Sequence, residues 1–442
     1  MTLRVHPDDI VRESLSLLLS KHPNWERIRL GAVAEILNGF AFKSDQFNSC
    51  GEGMPLIRIR DVGRSSTHTW YSGEFDKHYV VHAGDLLVGM DGEFRSARWP
   101  GPPALLNQRV CRITVNRTDI FSGRFLAFVL PGYLLEIQRR TSSLTVRHLS
   151  SRTLAEIPLP LPPRAEQERI VAAIEEQVSR LDTAEQLLRS SLQRCDVLYR
   201  RFMRTLEEWP LVPLADLLEK PLANGRSVPT AENGSGFPVL RLTALRNGFV
   251  DLSERKVGAW VRRDAERYIV QEGDFLIARG NGSLALVGRG GLVTADPDAV
   301  AYPDTMIRAR VDRKQMSPEF LRWVWDSSTV RRQIERAAKT TAGIHKVNQQ
   351  DLGRVAVPFP PPEVQGAIVG DLERQQSILQ ALTKSIHQAL VRSNHLRRSI
   401  LESAFTGKLV PQVPDDEPAF ELLARIASDH RKSAKPRRRQ RA

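Results

Sequence analysis

From Arg164 to Leu206 the chain has no Pro and no Gly, and apolar side chains recur at Val178, Leu181, Leu188, Leu192, Cys195, Tyr199, Phe202 and Leu206. The steps alternate three and four residues, with Glu185 filling one slot in the series. A seven-residue repeat keeps one stripe facing one partner, so this stretch predicts a long helix with a coiled-coil seam. At about 1.5 Å per residue it spans roughly 60 Å. A rod of that kind needs a second rod to cover its seam. Pro362 to Ala404 supplies one, with a stripe at Ile368, Leu372, Gln375, Leu379, Leu382, Ile386, Ala389, Ser393, Leu396 and Ile400. Each rod follows a proline-rich run, Ile157–Gln167 in one case and Val357–Gln365 in the other. Proline fixes φ and removes an N–H, so each run predicts an extended strap that ends where a helix starts.

The segments between the rods repeat as well. Residues 25–42 (WERIRLGAVAEILNGFAF) are answered by residues 209–220 (WPLVPLADLLEK). Alternation of apolar residues with Arg or Thr predicts half-wet strands at 55–62 and 238–245. A Gly-Asp turn and an apolar run predict buried strands at 83–92 and 272–282. Phe125–Leu130 and Phe320–Trp325 read as helical segments, and residues 145–149 answer residues 343–348 just before each strap. The order is globule, strap, rod, twice over. The predicted class is α+β, two duplicated domains separated by two long antiparallel coiled-coil helices. The predicted boundaries are 1–23 for an N-terminal helical segment (a short amphipathic helix over Ile10–Ser20), 24–157 for the first globule and 158–208 for the strap and central helix. They continue with 209–357 for the second globule, 358–410 for the strap and distal helix, and 411–442 for a C-terminal segment with a disordered basic tail.

Charge adds a partner to this picture. The formal charge is +13 over 442 residues. Part of the excess sits in Arg431, Lys432, Lys435, Arg437, Arg438, Arg439 and Arg441, but a basic body remains without them, which suits a polyanion. Three isolated cysteines, Cys50, Cys111 and Cys195, argue against a disulfide framework or a zinc site. The apolar stretch Leu15–Leu19 is too short and badly flanked for a signal peptide, and no run of eighteen apolar residues occurs. A cytoplasmic protein is expected.

Catalytic motifs are missing. No Asn or Asp precedes a Pro-Pro-aromatic triplet, as an adenine methyltransferase requires; Leu161-Pro162-Pro163 and Phe359-Pro360-Pro361 lack the amide or acid. Gly407-Lys408 is followed by Leu409, so there is no phosphate-binding P-loop. His78 and His82 have helical metal spacing but sit in a strand-like stretch, and Asp304 has no Glu-x-Lys companion of a nuclease core. No catalytic residue, metal or cofactor is expected in this chain.

The layout resembles the specificity subunit of type I restriction–modification systems. The resemblance is carried by Leu30-Gly31 with residues 36–42, residues 55–59, the strand at 84–88, the strap 157–163 followed by Glu166-Gln167, and the closing segment 399–411. It covers nearly the whole chain. The second module departs from it, having Lys220–Gly225 in place of the Asn-Gly-Phe-Ala-Phe stretch and Val364-Gln365 in place of Glu166-Gln167-Glu168. The resemblance implies two target-recognition domains, each reading half of a bipartite double-stranded DNA sequence, with the helices setting the spacer. It also implies two modification subunits, which bring S-adenosylmethionine and methylate adenine. Two restriction (motor-nuclease) subunits, which use ATP and magnesium, would join them.

DNA contacts divide into phosphate anchors and base readers, and long polar side chains in turns are suited to both. The candidates in the first module are Arg58, Arg60, Arg95, Arg98, Asn107, Gln108, Arg109, Arg147 and His148. Those in the second are Arg241, Arg246, Arg279, Asn281, Arg289, His345, Lys346 and Asn348. The Gly-rich segments 89–99 and 278–289 are the strongest, being equivalent in the repeat. The rival reading is a coiled-coil scaffold with two protein-binding globules and no sequence-specific DNA binding.

Overall fold

The computed structural model describes residues 6–140, 148–232, 234–295, 298–341 and 343–433. The chain divides into two compact units: Met1–Leu187 with Leu390–Ala442, and Leu188–Ala389. Both long helices are present and unbroken, a central helix Arg164–Thr205 and a distal helix Pro362–Phe405. Their ends fall within one residue of the periodic stretches. Among the described residues no helix is long and apolar enough to cross a membrane.

In the first unit, strands Ala34–Asn38, Val110–Val115, Leu86–Gly89 and Ser96–Arg98 form one antiparallel sheet in that order. The second unit repeats its first three strands as Leu218–Asn224, Met306–Val311 and Phe275–Ala278. Each sheet packs on a helix that follows it, Gly123–Arg140 in the first unit and Pro318–Trp325 in the second. The mixture of strands and helices matches the α+β expectation.

The proline runs are strands. Pro158–Leu161 is fully buried and pairs antiparallel with Glu26–Arg29, and Ala356–Pro358 pairs with Leu211–Pro213. In a two-stranded ladder a proline can turn its missing donor away from the partner, so the runs stay extended without breaking the pairing. The chain before each globule is therefore stitched to the chain that leaves it.

At each helix start a buried glutamine fastens helix to globule. The Ser122 amide donates to Gln167 Oε1 (2.7 Å), and Gln167 Nε2 donates to the carbonyls of Ile120 (3.0 Å) and Pro162 (2.9 Å). In the second unit the Ser317 amide donates to Gln365 Oε1 (2.8 Å), and Gln365 Nε2 donates to the carbonyls of Gln315 (2.8 Å) and Pro360 (3.1 Å). Gln167 is 0% exposed and Gln365 1%, so these groups have no water to fall back on. In both units the amide that is satisfied sits next to the start of the helix behind the sheet.

The seam is polar as well as apolar. In the first unit Ile174, Ala404 and Phe405 are buried, with Val178 and Ile400 packed against them, and the Phe125 and Phe405 rings meet edge to face at 6.1 Å. Farther along, Ser393 Oγ donates to Glu185 (2.7 Å), while Arg397 pairs with Asp182 (2.7 Å) and Glu185 (3.1 Å). Glu185, out of place in an apolar repeat, thus has its partner. In the second unit Leu372, Ile386 and Cys195 are buried, and Leu188, Leu192, Phe202, Ile368 and Leu379 are half-buried. In the first, Leu181 is half-buried.

Three sequence expectations are corrected. Leu382 is 45% exposed and Leu396 55%, while Thr383 and Arg397 turn inward instead. An α-helix of 3.6 residues per turn drifts about 20° per heptad from a strict 3.5 repeat, which moves the stripe by one residue. Tyr199, at 39% exposed, also lies at the seam's margin. The expected helix Ile10–Ser20 is instead a helix Pro7–Glu13 and a 3₁₀ turn Leu17–Leu19. Ser14 Oγ accepts from the Ser16 amide (3.1 Å), a local bond that competes with helix continuation. The C-terminal segment is not a tail throughout. Ala419–Ser433 is a helix that buries Leu422 and Ile426 in the first unit's core, and Arg431 and Lys432 belong to it. The basic residues from Lys435 onward lie outside the described residues.

Glu166, beside the first glutamine, is 1% exposed. It accepts from Trp25 Nε1 (3.0 Å) and from the Gln412 amide. Burial pushes its carboxyl above the ordinary value of 4.5, against those two hydrogen bonds.

Replacing Gln365 with Leu strands the Ser317 N–H and two carbonyls in a buried site. The expected loss is about 1–3 kcal/mol or more, read from denaturant unfolding. An unchanged midpoint would show that something else holds the helix start. A second expectation concerns pH. Because the folded state keeps the Glu166 proton after the unfolded state has lost it, stability falls as pH rises from 4.5 through the raised value. Glu166→Gln should remove that slope in urea unfolding across pH; identical slopes in both proteins would contradict it.

Candidate nucleic-acid interface

Each globule presents one rim where three chain segments meet at the end of its main sheet. In the first unit the strand Ala34–Asn38 runs into Gly39, whose amide donates to the Val110 carbonyl (2.9 Å). A Cβ on Gly39 would stand 2.1 Å from the Asn107 carbonyl oxygen, so only glycine lets these backbones pass. Next to it the Met90 amide donates to the Arg109 carbonyl (3.0 Å), and the Leu149 amide to the Met90 carbonyl (2.7 Å). These bonds bring Asp91, Arg109 and His148 together. Asp91 accepts from or pairs with His148 Nδ1 at 2.7 Å and with Arg109 Nε at 3.4 Å. Gly92 has φ +69° with open space around it, which marks an exposed loop tip.

The second unit builds the same rim from different residues. The Gly225 amide donates to the Met306 carbonyl (3.1 Å), and a Cβ there would stand 2.1 Å from the Pro303 oxygen. The Arg279 amide donates to the Thr305 carbonyl (2.8 Å), and the Val347 amide to the Arg279 carbonyl (2.9 Å). Strand pairing sets Gly280 opposite Lys346 and Asn281 opposite His345. Asn224-Gly225 therefore answers Asn38-Gly39, and the second module keeps the part of the motif that the backbone requires.

The expected contact residues sort by what holds them. Gln108 and Arg109 are exposed on the first rim, and His148 is exposed beside them. Arg279, Asn281, His345 and Lys346 come together on the second, with Arg289 and Asn281 lining one groove together with Thr243. Arg98 is exposed on its sheet's edge strand, and Arg95 is exposed but paired with Glu93. Arg60 donates to Thr69 Oγ1 (3.1 Å), and Arg58, half-buried, donates its amide to Asp61 (2.9 Å). Arg246 is engaged by the Thr243 carbonyl (2.9 Å) and Glu254 (2.8 Å), and Arg241 lies 3.5 Å from the Arg255 carbonyl.

Two candidates are moved out of the set. Asn107 is 9% exposed, and its Oδ1 accepts from the Gln108 amide (2.9 Å), so it shapes the turn that presents its neighbours. Asn348 is exposed but caps the helix Gln349–Gly353, its Oδ1 accepting from Asp351 (2.8 Å) in a capping box. Arg147 lies outside the described residues. Asp91, Phe40 and Arg226 were not among the expected contact residues, although Phe40 lies in the Asn-Gly-Phe-Ala-Phe stretch. The two Asn-Gly dipeptides were a usable signal for the last two, because each residue directly follows the glycine that the crossing demands.

The comparisons with known proteins bear on this geometry. The profile of the type I restriction modification DNA specificity domain matches residues 23–190 and 206–392, one copy per repeat. The chain is 34% identical over 444 residues to the EcoBI type I restriction enzyme specificity subunit of Escherichia coli, covering 93% of this chain and 91% of that one. The HsdS subunit from Thermoanaerobacter tengcongensis has a similar fold, with a TM-score of 0.55 at 18% identity, over 88% of this chain and 98% of that one. A solved structure from work on assembly and conformational transition of the type I R-M system reaches a TM-score of 0.64 at 17% identity, over 87% and 98%. With a profile matched twice along its length and a relative this similar end to end, the chain belongs to the type I restriction–modification DNA specificity family.

Proposed function

We propose that this chain is the DNA-recognition subunit of a type I restriction–modification complex, with each unit reading half of a bipartite duplex target. The observation that carries this reading is the rim, built twice from the same backbone hydrogen bonds but furnished with different side chains. Two readers with one frame and two chemistries suit two different half-sites. Covalent linkage raises the joint affinity by roughly 10² to 10⁴-fold over either half, so neither reader has to bind tightly alone. The subunit is non-catalytic. The chemistry belongs to its partners: two modification subunits carrying S-adenosylmethionine for adenine methylation, and two motor-nuclease subunits using ATP and magnesium in the cytoplasm.

The long helices serve as spacer and as docking surface. Leu187, Val391 and Leu396 in the first unit, and Val197 and Ile378 in the second, are 54–64% exposed on them. Large apolar side chains on outer helix faces suit the modification subunits as partners. The unbroken central helix, about 63 Å at 1.5 Å per residue, is long enough to serve two half-sites roughly one turn (~34 Å) apart.

The function is tested by binding the chain, assembled with its modification subunit, to duplexes bearing the host's methylated-adenine target and to random duplexes. The expected preference is about 10³-fold or more, with affinity falling steeply with salt. Equal affinity for both duplexes, or affinity indifferent to salt, would favour the scaffold reading. Lengthening the rods tests the spacer. Four residues inserted after Leu188 together with four after Ala389 add about 6 Å to each helix. The preferred gap between half-sites should grow by about one to two base pairs, with both half-sites unchanged. Retention of the original gap would rule out a helical spacer.

A further inference from the structure

The shared hydrogen-bond frame lets the two rims be compared position by position, within each unit by itself. Phe40 follows Gly39, and Arg226 follows Gly225. The turn carrying Gln108 and Arg109 is matched by Asp304 and Thr305, since Arg109 and Thr305 each accept from the equivalent strand amide. Met90 is matched by Arg279, Asp91 by Gly280, and His148 by Lys346.

The charges at these positions differ. Among the described residues, leaving histidine uncounted, the first rim has one cation, Arg109, against one carboxylate, Asp91, and the two are in contact at 3.4 Å. These charges cancel; Arg147, at the position of His345, lies outside the described residues. The second has three cations, Arg226, Arg279 and Lys346, against Asp304 alone, a net of +2. Arg226 and Lys346 are exposed and have no ion pair among the described residues. At the position of Arg226 the first rim has the Phe40 ring, 47% exposed. Phe42 and Tyr79 back that ring at centroid distances of 5.2 and 5.1 Å, and the Phe40 amide is fixed to the Leu106 carbonyl (2.9 Å). It is a rigid apolar surface set in an otherwise polar edge.

We propose that the two recognition units divide the labour of DNA binding. The second unit is the electrostatic anchor, with Arg226 and Lys346 on backbone phosphates. The first contacts its half-site through a rim whose described charges cancel, with Phe40 packed against a sugar or base face. The physical basis is counterion release. Each phosphate neutralised by a cation makes log affinity fall with log salt by about 0.9, and an apolar contact adds nothing to that slope. This inference rests on the DNA-recognition reading above and assigns Phe40 and Arg226 as contact residues within it.

The test uses the full chain assembled with its modification subunit, and measures affinity for the target duplex by fluorescence anisotropy from 50 to 200 mM salt. Arg226→Ala and Lys346→Ala should each reduce the slope by about 0.9, equivalent to roughly 3- to 4-fold in affinity over that salt range. Phe40→Ala should weaken binding with the slope unchanged. Phe40→Leu, which keeps apolar packing on Phe42, should weaken it less. Asp91→Asn should steepen the slope, because Arg109 is then released to a phosphate. Unchanged slopes in both Arg226→Ala and Lys346→Ala overturn the proposal, as does a Phe40→Ala slope lowered as much as theirs. If the wild-type complex has a steep slope and a target preference, such a result overturns the division of labour alone. A wild-type complex without either overturns the recognition function and this inference with it.

Discussion

Two buried amides, Gln167 and Gln365, fix how each long helix leaves its globule. A primary amide can accept and donate at once, in one plane. Here each accepts from the backbone where the sheet's following helix begins and donates to the strap carbonyl and to the loop between. The strap and a segment 45–50 residues earlier in sequence are thus locked to one side chain with no solvent alternative. Glutamate in its place would bring an unpaired charge into a site 0–1% exposed, and an apolar residue would leave the backbone groups unpaired. The helix is consequently an extension of the globule's own hydrogen-bond network. Its N-terminal turns carry core residues of the globule, Ile170 and Val171 in the first unit and Val369 and Leu372 in the second.

Much of this could be read from the residues. The rods were legible because a long stretch without Pro or Gly leaves little but a helix, and both predicted ends held to within a residue. The repeat was legible because strands, straps and turns recurred in order. What the sequence hid are relations between distant positions. The Glu-Gln pair stood out as a motif, but its partner Ser122 lies 45 residues away. Asp91 was one position in the Gly-rich segment 89–99, and only strand pairing sets His148 against it, 57 residues on. Leu382 fitted a strict heptad that a real helix does not keep. The C-terminal helix was obscured by the cationic run after it, although Ala419, Leu422, Leu423 and Ile426 already had helical spacing.

The candidate contacts were legible as residue types and less so as roles. Asn107 and Asn348 have the groups that read adenine, yet one builds a turn and the other caps a helix. Amides satisfy backbone as readily as bases, and only burial and partners tell the two uses apart. Conversely, the residues after the two close-crossing glycines drew no notice from composition. Their place is set by the crossing: the Gly39 and Gly225 amides are bonded across it, and the Phe40 amide is bonded to the Leu106 carbonyl.

The first unit is assembled from both ends of the chain: the distal helix's last turns, Ala404 and Phe405, and Leu422 of the C-terminal helix lie in the same core as Trp25 and Phe125. The second unit is one continuous stretch, Leu188–Ala389. During translation the order of completion is therefore reversed from the usual N-to-C sequence. The later-synthesised reader has all its parts as soon as residue 389 clears the ribosome, while the earlier one waits with an open apolar face. A truncated product released near that point would carry one finished reader and one whose core lacks Ala404, Phe405, Leu422 and Ile426, with the apolar side chains they cover left exposed.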